Sequence, residues 1–244
     1  LFDLVDREEG GPLSADLEPD ETDRSARGDA VEEHVELALS LPFVNIDALQ
    51  SKRFFVVVDA VNASGSRIVP LLLDRCGCRV LPLFCDGSGV FPHTPEPLPE
   101  NLADLSRAVV ENGADVGIAV DPDADRLVVI DENGQPFGEE YTVTQCADFI
   151  LRRARAHDPT ADLSVVVNLS TTRAIDDVAR RHGASVERTP VGEINVARKM
   201  LEIGSIIGGE GSGGVILPEL HAGRDSLVGI VILLSNLLET GMTP

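Results

Sequence analysis

The chain has 244 residues, 43% of them hydrophobic, and a formal charge of −21, so it holds enough apolar material for one large or two ordinary packed domains. The acidic balance excludes nucleic acid and anionic membrane surfaces as natural partners, since both need a basic face. No apolar run approaches the roughly 18 to 20 residues of a membrane span; the longest, LVGIVILLSNLL, is short enough for a buried helix.

Of the 20 basic residues only Lys52 and Lys199 are lysine. An acidic, lysine-poor surface suits a salt-loaded cytoplasm, where ionic strength screens self-repulsion; an ordinary acidic enzyme is the other reading. Cys76, Cys78, Cys85 and Cys146 form no C-x-x-C pair and lie in apolar surroundings, which predicts reduced, mostly buried thiols. Without a signal peptide pattern the expected location is the cytoplasm.

The opening segment through residue 29 is polar and rich in Gly, Pro and Asp, and reads as a linker or the end of a preceding domain. From residue 30, AVEEHVELALSL has helical spacing, and FFVVVDA is a continuous run typical of a strand buried on both faces. VNASGS turns the chain, with Ser64 or Ser66 as helix cap, into the helix RIVPLLLDRCG. CRVLPLFC is a second strand, HTPEPLPENL a loop, and LADLSRAVVENG a helix. DVGIAV and RLVVID are strands flanking an aspartate-rich loop.

A second series begins near Tyr141. VTQCADFILRRARA is a helix, LSVVVNLS a strand, and TTRAIDDVARRHG a helix capped by Thr171 or Thr172. ASVERTP is a short strand, VGEINVARKMLEIG a helix, and SIIGGEGSGGVILP two strands around a Gly-rich loop. RDSLVGIVILLSNLLETG closes the series as a long helix. This alternation predicts two consecutive α/β domains, at 30–140 and 141–244, with mixed, largely parallel sheets flanked by helices. The alternative is a single doubly wound domain.

In VDPDADRLVVID, Asp121, Asp123 and Asp125 alternate and Arg126 follows. Like charges so close repel unless a cation sits among them. The EF-hand comparison fails, because Arg126 stands where the calcium loop needs glycine and strands flank the loop. Three carboxylates at the end of a buried strand fit Mg²⁺, and Arg126 is placed to meet a phosphate or buffer the carboxylates. In GGEGSGGV, five glycines permit close backbone approach, and Glu210 and Ser212 can grip vicinal hydroxyls; a tight hairpin is the alternative.

VDPDADRLVVID, RTPVGEINVA and GGEGSGGVI…H…RDS, in that order, resemble the α-D-phosphohexomutase family, as do FFVVVDAVNASGS and FPHTPEPLPENL. The resemblance covers the chain from about Ala30 onward and corresponds to the second and third of the family's four domains. It implies interconversion of hexose or hexosamine 1-phosphate and 6-phosphate through a phosphoserine. That serine belongs to a T-x-S-H-N-P loop in the first domain, and an R-x-S-G-T-E-P phosphate clamp belongs to the fourth; neither occurs here. The missing first and fourth domains of a parent chain are therefore implied partners, and this segment alone is expected to turn nothing over.

By position, the resemblance makes Asp121, Asp123 and Asp125 the Mg²⁺ ligands and puts Arg126 beside the phosphoryl group. It makes Glu210 and Ser212 the sugar loop, and puts Arg188, Thr189 and Gly192 in a second sugar-side loop where Arg188 steers phosphate or handles a proton. Relatives carry histidine where Gly214 stands; His221 is a partial substitute or a surface histidine. Two other readings are a non-catalytic metal- and sugar-phosphate-binding module, and a hydrolase using Asp121 or Asp123 as nucleophile. The second lacks its lysine and its Ser/Thr motif.

Overall fold

In the computed structural model, residues 29–241 are described; the expected linker over 1–29 lies almost wholly outside them. The first half contains α1 (Ala30–Leu39), α2 (Ile46–Lys52), β1 (Phe55–Asp59), α3 (Gly65–Arg75), β2 (Arg79–Leu83), a 3₁₀ turn (Pro99–Asn101), α4 (Ala103–Asn112), β3 (Val116–Val120) and β4 (Leu127–Ile130). The second half contains α5 (Glu139–His157), β5 (Ser164–Asn168), α6 (Ala174–Arg181), β6 (Ser185–Thr189), α7 (Glu193–Ile203), β7 (Ile207–Gly209), β8 (Val215–Leu217), β9 (His221–Arg224) and α8 (Ser226–Thr240).

Two mixed sheets result, ordered β2-β1-β3-β4 and β6-β5-β7-β8-β9. In the first, β2 and β3 flank β1 in parallel and β4 returns antiparallel to β3. In the second, β5 pairs in parallel with β6 and β7, whereas β7-β8-β9 is antiparallel. The continuous apolar runs occupy the positions covered on both faces: every residue of β1, β3 and β4 is buried.

One apolar core runs through both halves, from Val35 and Leu49 through Val143 and Phe149 to Leu237. Phe43 meets Phe149 edge to face, with ring centroids 5.4 Å apart. α8, almost wholly buried, packs against α1, α2 and α5. Among the described residues no helix is long and apolar enough to cross a membrane. Cys76, Cys78 and Cys146 are buried free thiols, and burial pushes each up to about 12.

Two expected caps differ. Ser64 stands at the N-cap position of α3, but its side chain makes no capping bond; the hydroxyl donates instead to Pro122 O at 2.7 Å, because the aspartate loop lies within reach. The residue capping α6 is Arg173, with Thr172 Oγ1 only loosely placed, 3.4 Å from Ala174 N.

Candidate cation and sugar site

The aspartate loop leaves β3 at its C-terminal end, the edge where α/β sheets commonly bind ligands. Asp121 is 1% exposed. Its Oδ1 accepts the N–H groups of Asp125 and Arg126, both at 3.1 Å, and its Oδ2 accepts Arg126 Nε at 2.5 Å. Ala124 supplies the turn in a left-handed conformation, φ 59°. Arg126 reaches back through Nη1 to Glu96 Oε2 at 2.7 Å. With both oxygens engaged by donors, Asp121 is a scaffold and a poor nucleophile, which counts against it in the hydrolase reading.

The three aspartates fit a hard cation. Each offers an oxygen, and these oxygens lie within 4.8 Å of one another; ligands about 2.1 Å from a Mg²⁺ stand about 3 to 4 Å apart. Asp125 Oδ1 is buried without a partner, whereas Oδ2 accepts Arg224 Nη2 at 2.5 Å. Burial, and then the neighbouring Asp121 charge, push the Asp125 carboxyl up to about 6 against the pull of Arg224. A carboxylate so destabilised invites a counter-cation.

The Gly-rich loop joins β7 to β8. At Gly209, φ is 153° and a Cβ would lie 2.1 Å from Gly214 O, so the hairpin closes only around glycine. Glu210 is 4% exposed. Its Oε1 accepts Asn168 Nδ2 at 2.8 Å and Gly192 N–H at 3.1 Å, and its Oε2 accepts Arg224 Nη1 at 2.8 Å. Ser212 sits half-buried near the loop tip. Thr189, buried at the end of β6, donates to Pro190 O at 3.1 Å.

The structure therefore brings together Asp121, Asp123, Asp125 and Arg126 in one loop, and joins Glu210 of the β7–β8 loop to Gly192 of the β6–α7 connection. Across the seam between them, Leu127 N–H donates to Gly213 O at 3.1 Å and Arg126 bridges Gly214. Arg188 stands apart. Its guanidinium donates to Thr171 O and Asp176 Oδ2, both at 2.9 Å, and among the described residues no hydrogen bond ties it to either loop. Sequence reading missed Arg224, Asn168 and Glu96, whose motifs it had quoted or crossed without giving them roles.

A second set of ligand-type side chains lies on the same face: His34, His221 and Asp225. Both imidazole Nε2 atoms approach Asp225 Oδ2, at 2.8 and 3.0 Å. His221 Nδ1 accepts Gly223 N–H at 3.0 Å, which assigns the neutral ring's proton to Nε2. A cation on that Nε2 would need a ring bare of protons, so the set is a hydrogen-bonded clasp on the cap of α8. Asp225 raises His34 through a hydrogen bond. Burial works to raise Asp225, but hydrogen bonds from His221 and His34 outweigh it and hold the carboxyl well below its usual range.

The clasp gives a pH signature. A raised His34 contributes fully below its ordinary value of about 6.5 and loses that contribution as pH rises through its folded value. A lowered Asp225 contributes above about 3.9 and fades as pH falls towards its folded value. His34→Gln is thus expected to lower the melting temperature by about 3 °C at pH 5.5 and by less at pH 8.5. A pH-independent difference in thermal unfolding would contradict this assignment.

Two α/β layers thus carry, at neighbouring sheet edges, a loop of three clustered carboxylates and a loop built on a buried glutamate. The chain belongs to the phosphoglucomutase/phosphomannomutase family: residues 32–134 match its α/β/α domain II and residues 139–244 its α/β/α domain III. It is 37% identical over 183 residues to the phosphoglucomutase/phosphomannomutase of Thermococcus kodakarensis, covering 75% of this chain and 39% of that protein. It is 35% identical over 146 residues to the phosphoglucosamine mutase of Methylococcus capsulatus, covering 59% of this chain and 31% of that protein. The crystal structure of a phosphoglucomutase/phosphomannomutase family protein from Burkholderia thailandensis superposes with a TM-score of 0.75 at 27% identity, over 86% of this chain and 44% of the other. The matched part of the chain thus covers less than half the length of each of these relatives.

Proposed function

We propose that this chain is the central domain pair of a Mg²⁺-dependent phosphohexomutase, which interconverts hexose or hexosamine 1-phosphate and 6-phosphate through a phosphoserine on another domain of the same polypeptide. The observation that carries the reading is the aspartate loop, with three convergent carboxylates and one buried oxygen, Asp125 Oδ1, lacking a partner. Bound Mg²⁺ supplies charge neutralisation at a phosphoryl oxygen, the main need of phosphoryl transfer.

The chain's own residues do the rest. Asp121, Asp123 and Asp125 hold the cation. Arg126, gripped through Nε and Nη1 by Asp121 and Glu96, is aimed to meet phosphoryl oxygens with its remaining donors. Glu210, Ser212, Thr189 and Gly192 form the wall for sugar hydroxyls. Arg188 acts indirectly, by fixing the 168–176 loop that carries Asn168. A charged sugar phosphate does not cross membranes unaided, which argues for a reaction in the cytoplasm.

The test is conversion of glucose, mannose and glucosamine 1-phosphates by the full-length polypeptide, followed by phosphorus NMR. At least one is expected to yield its 6-phosphate with Mg²⁺ present and none after chelation. No conversion, with cation binding intact, would make the chain a binding module.

A further inference from the structure

Arg224 ends β9, one residue before the Asp225 cap, and its side chain is 19% exposed. Its Nη2 donates to Asp125 Oδ2 at 2.5 Å and its Nη1 to Glu210 Oε2 at 2.8 Å. Its backbone N–H donates to Glu193 Oε1 at 2.7 Å, and its Nε lies 3.6 Å from Glu193 Oε2. One guanidinium therefore joins carboxylates from the aspartate loop, the Gly-rich loop and the first turn of α7. Its stem needs Gly214: a Cβ there would lie 2.2 Å from Arg224 Cδ.

We infer that Arg224 is a positioning residue that sets the aspartate loop and the Glu210 loop as one unit, and that Gly214 exists to let its stem through. The inference rests on the reading of the aspartate loop as a cation site. By taking Asp125 Oδ2, the fork leaves Oδ1, buried and partnerless, as the oxygen turned to the cation. By taking Glu210 Oε2, it leaves Oε1 to hold Asn168 and the Gly192 N–H. A planar fork can fix two carboxylates in one relative geometry, whereas an ammonium acts as a point charge.

A positioning fork and a mere counter-ion predict opposite results. If Arg224 only neutralises, Arg224→Lys leaves cation affinity unchanged and Arg224→Met tightens it by removing a competing positive charge. If it positions Asp125, Arg224→Lys weakens binding although the charge is kept. Gly214→Ala, which alters no charge, weakens it too by expelling the stem.

The experiment is a Mn²⁺ titration read by electron paramagnetic resonance of the free ion, on the unsubstituted chain and these three variants. It is paired with hydrogen exchange at the Asp125 and Arg126 amides, which donate to Asp121, and at the Gly192 amide, which donates to Glu210. Arg224→Lys and Gly214→Ala are expected to weaken Mn²⁺ binding about 10-fold or more. Exchange in both loops should rise together while β1 and β3 keep their protection. Unchanged affinity in Arg224→Lys, or loosening of one loop alone, overturns the inference. If the unsubstituted chain binds no Mn²⁺, the cation reading fails; joint or separate loosening of the loops then decides the positioning role.

Discussion

Asp123→Asn is expected to lower Mg²⁺ affinity about 100-fold or more while moving the melting temperature by no more than about 1 °C. Asp123 is the exposed member of the three aspartates. Neutralising it removes one ligand and one of the charges that make the loop attractive to a hard cation. Nothing in the scaffold of the loop depends on it, since the turn is held by Asp121. The change Asp121→Asn would have another outcome. The new side-chain amide would turn a donor towards the Asp125 and Arg126 N–H groups or towards Arg126 Nε, and a mispaired buried group of that kind costs about 1 to 3 kcal/mol. Calorimetric titration with MgCl₂ and thermal unfolding separate the two effects. Undiminished binding by Asp123→Asn would sink the cation assignment.

Glu210→Ala is expected to cost about 3 to 5 kcal/mol, because it strips one buried carboxylate from three donors at once. Asn168 Nδ2 and the Gly192 N–H lose their acceptor, and Arg224 loses one of its carboxylates. For a chain of this size the melting temperature should fall by about 10 °C. Glu210→Gln should cost less, since Oε1 can still accept from Asn168 and Gly192 and only the face towards Arg224 becomes donor against donor. Differential scanning calorimetry of the two variants checks the ordering. An alanine variant that melts within a degree of the unsubstituted chain would mean that the loop is held by its backbone alone. In the full-length polypeptide, Glu210→Ala should also cut sugar-phosphate turnover strongly.

Much of the fold was legible because burial on two faces leaves a blunt mark. FVVVD, VGIAV and LVVI are almost continuous apolar runs, and all proved to be strands buried along their whole length, β1 and β3 in the middle of the sheet and β4 at its edge. α2 was missed because IDALQSK buries only Leu49 and shows no stripe, although Asn45 caps it with a bond from Ala48 N–H at 3.1 Å. β9 was missed because HAGR is polar and takes its shape from pairing with β8, not from any preference of its own.

The site divides in the same way. The aspartate spacing is local and could be read directly. Arg224 could not, since its contact with Asp125 spans 99 residues of chain. Nor could Asn168, 42 residues from Glu210, or Glu96, 30 residues from Arg126. The role of Arg224 arises only once the two sheet edges meet, and those of Asn168 and Glu96 only once the fold of each half brings distant segments together. Ser64 holds the N-cap position, but its hydroxyl serves a partner 58 residues away and not the adjacent helix end.

The uninterrupted core from Val35 to Leu237, together with the Phe43–Phe149 contact, bears on motion. With the apolar interior shared, the two sheets have no greased plane on which to slide and no solvated joint at which to bend. On the proposed reading, a sugar phosphate held at the two loops would meet one stiff jaw here.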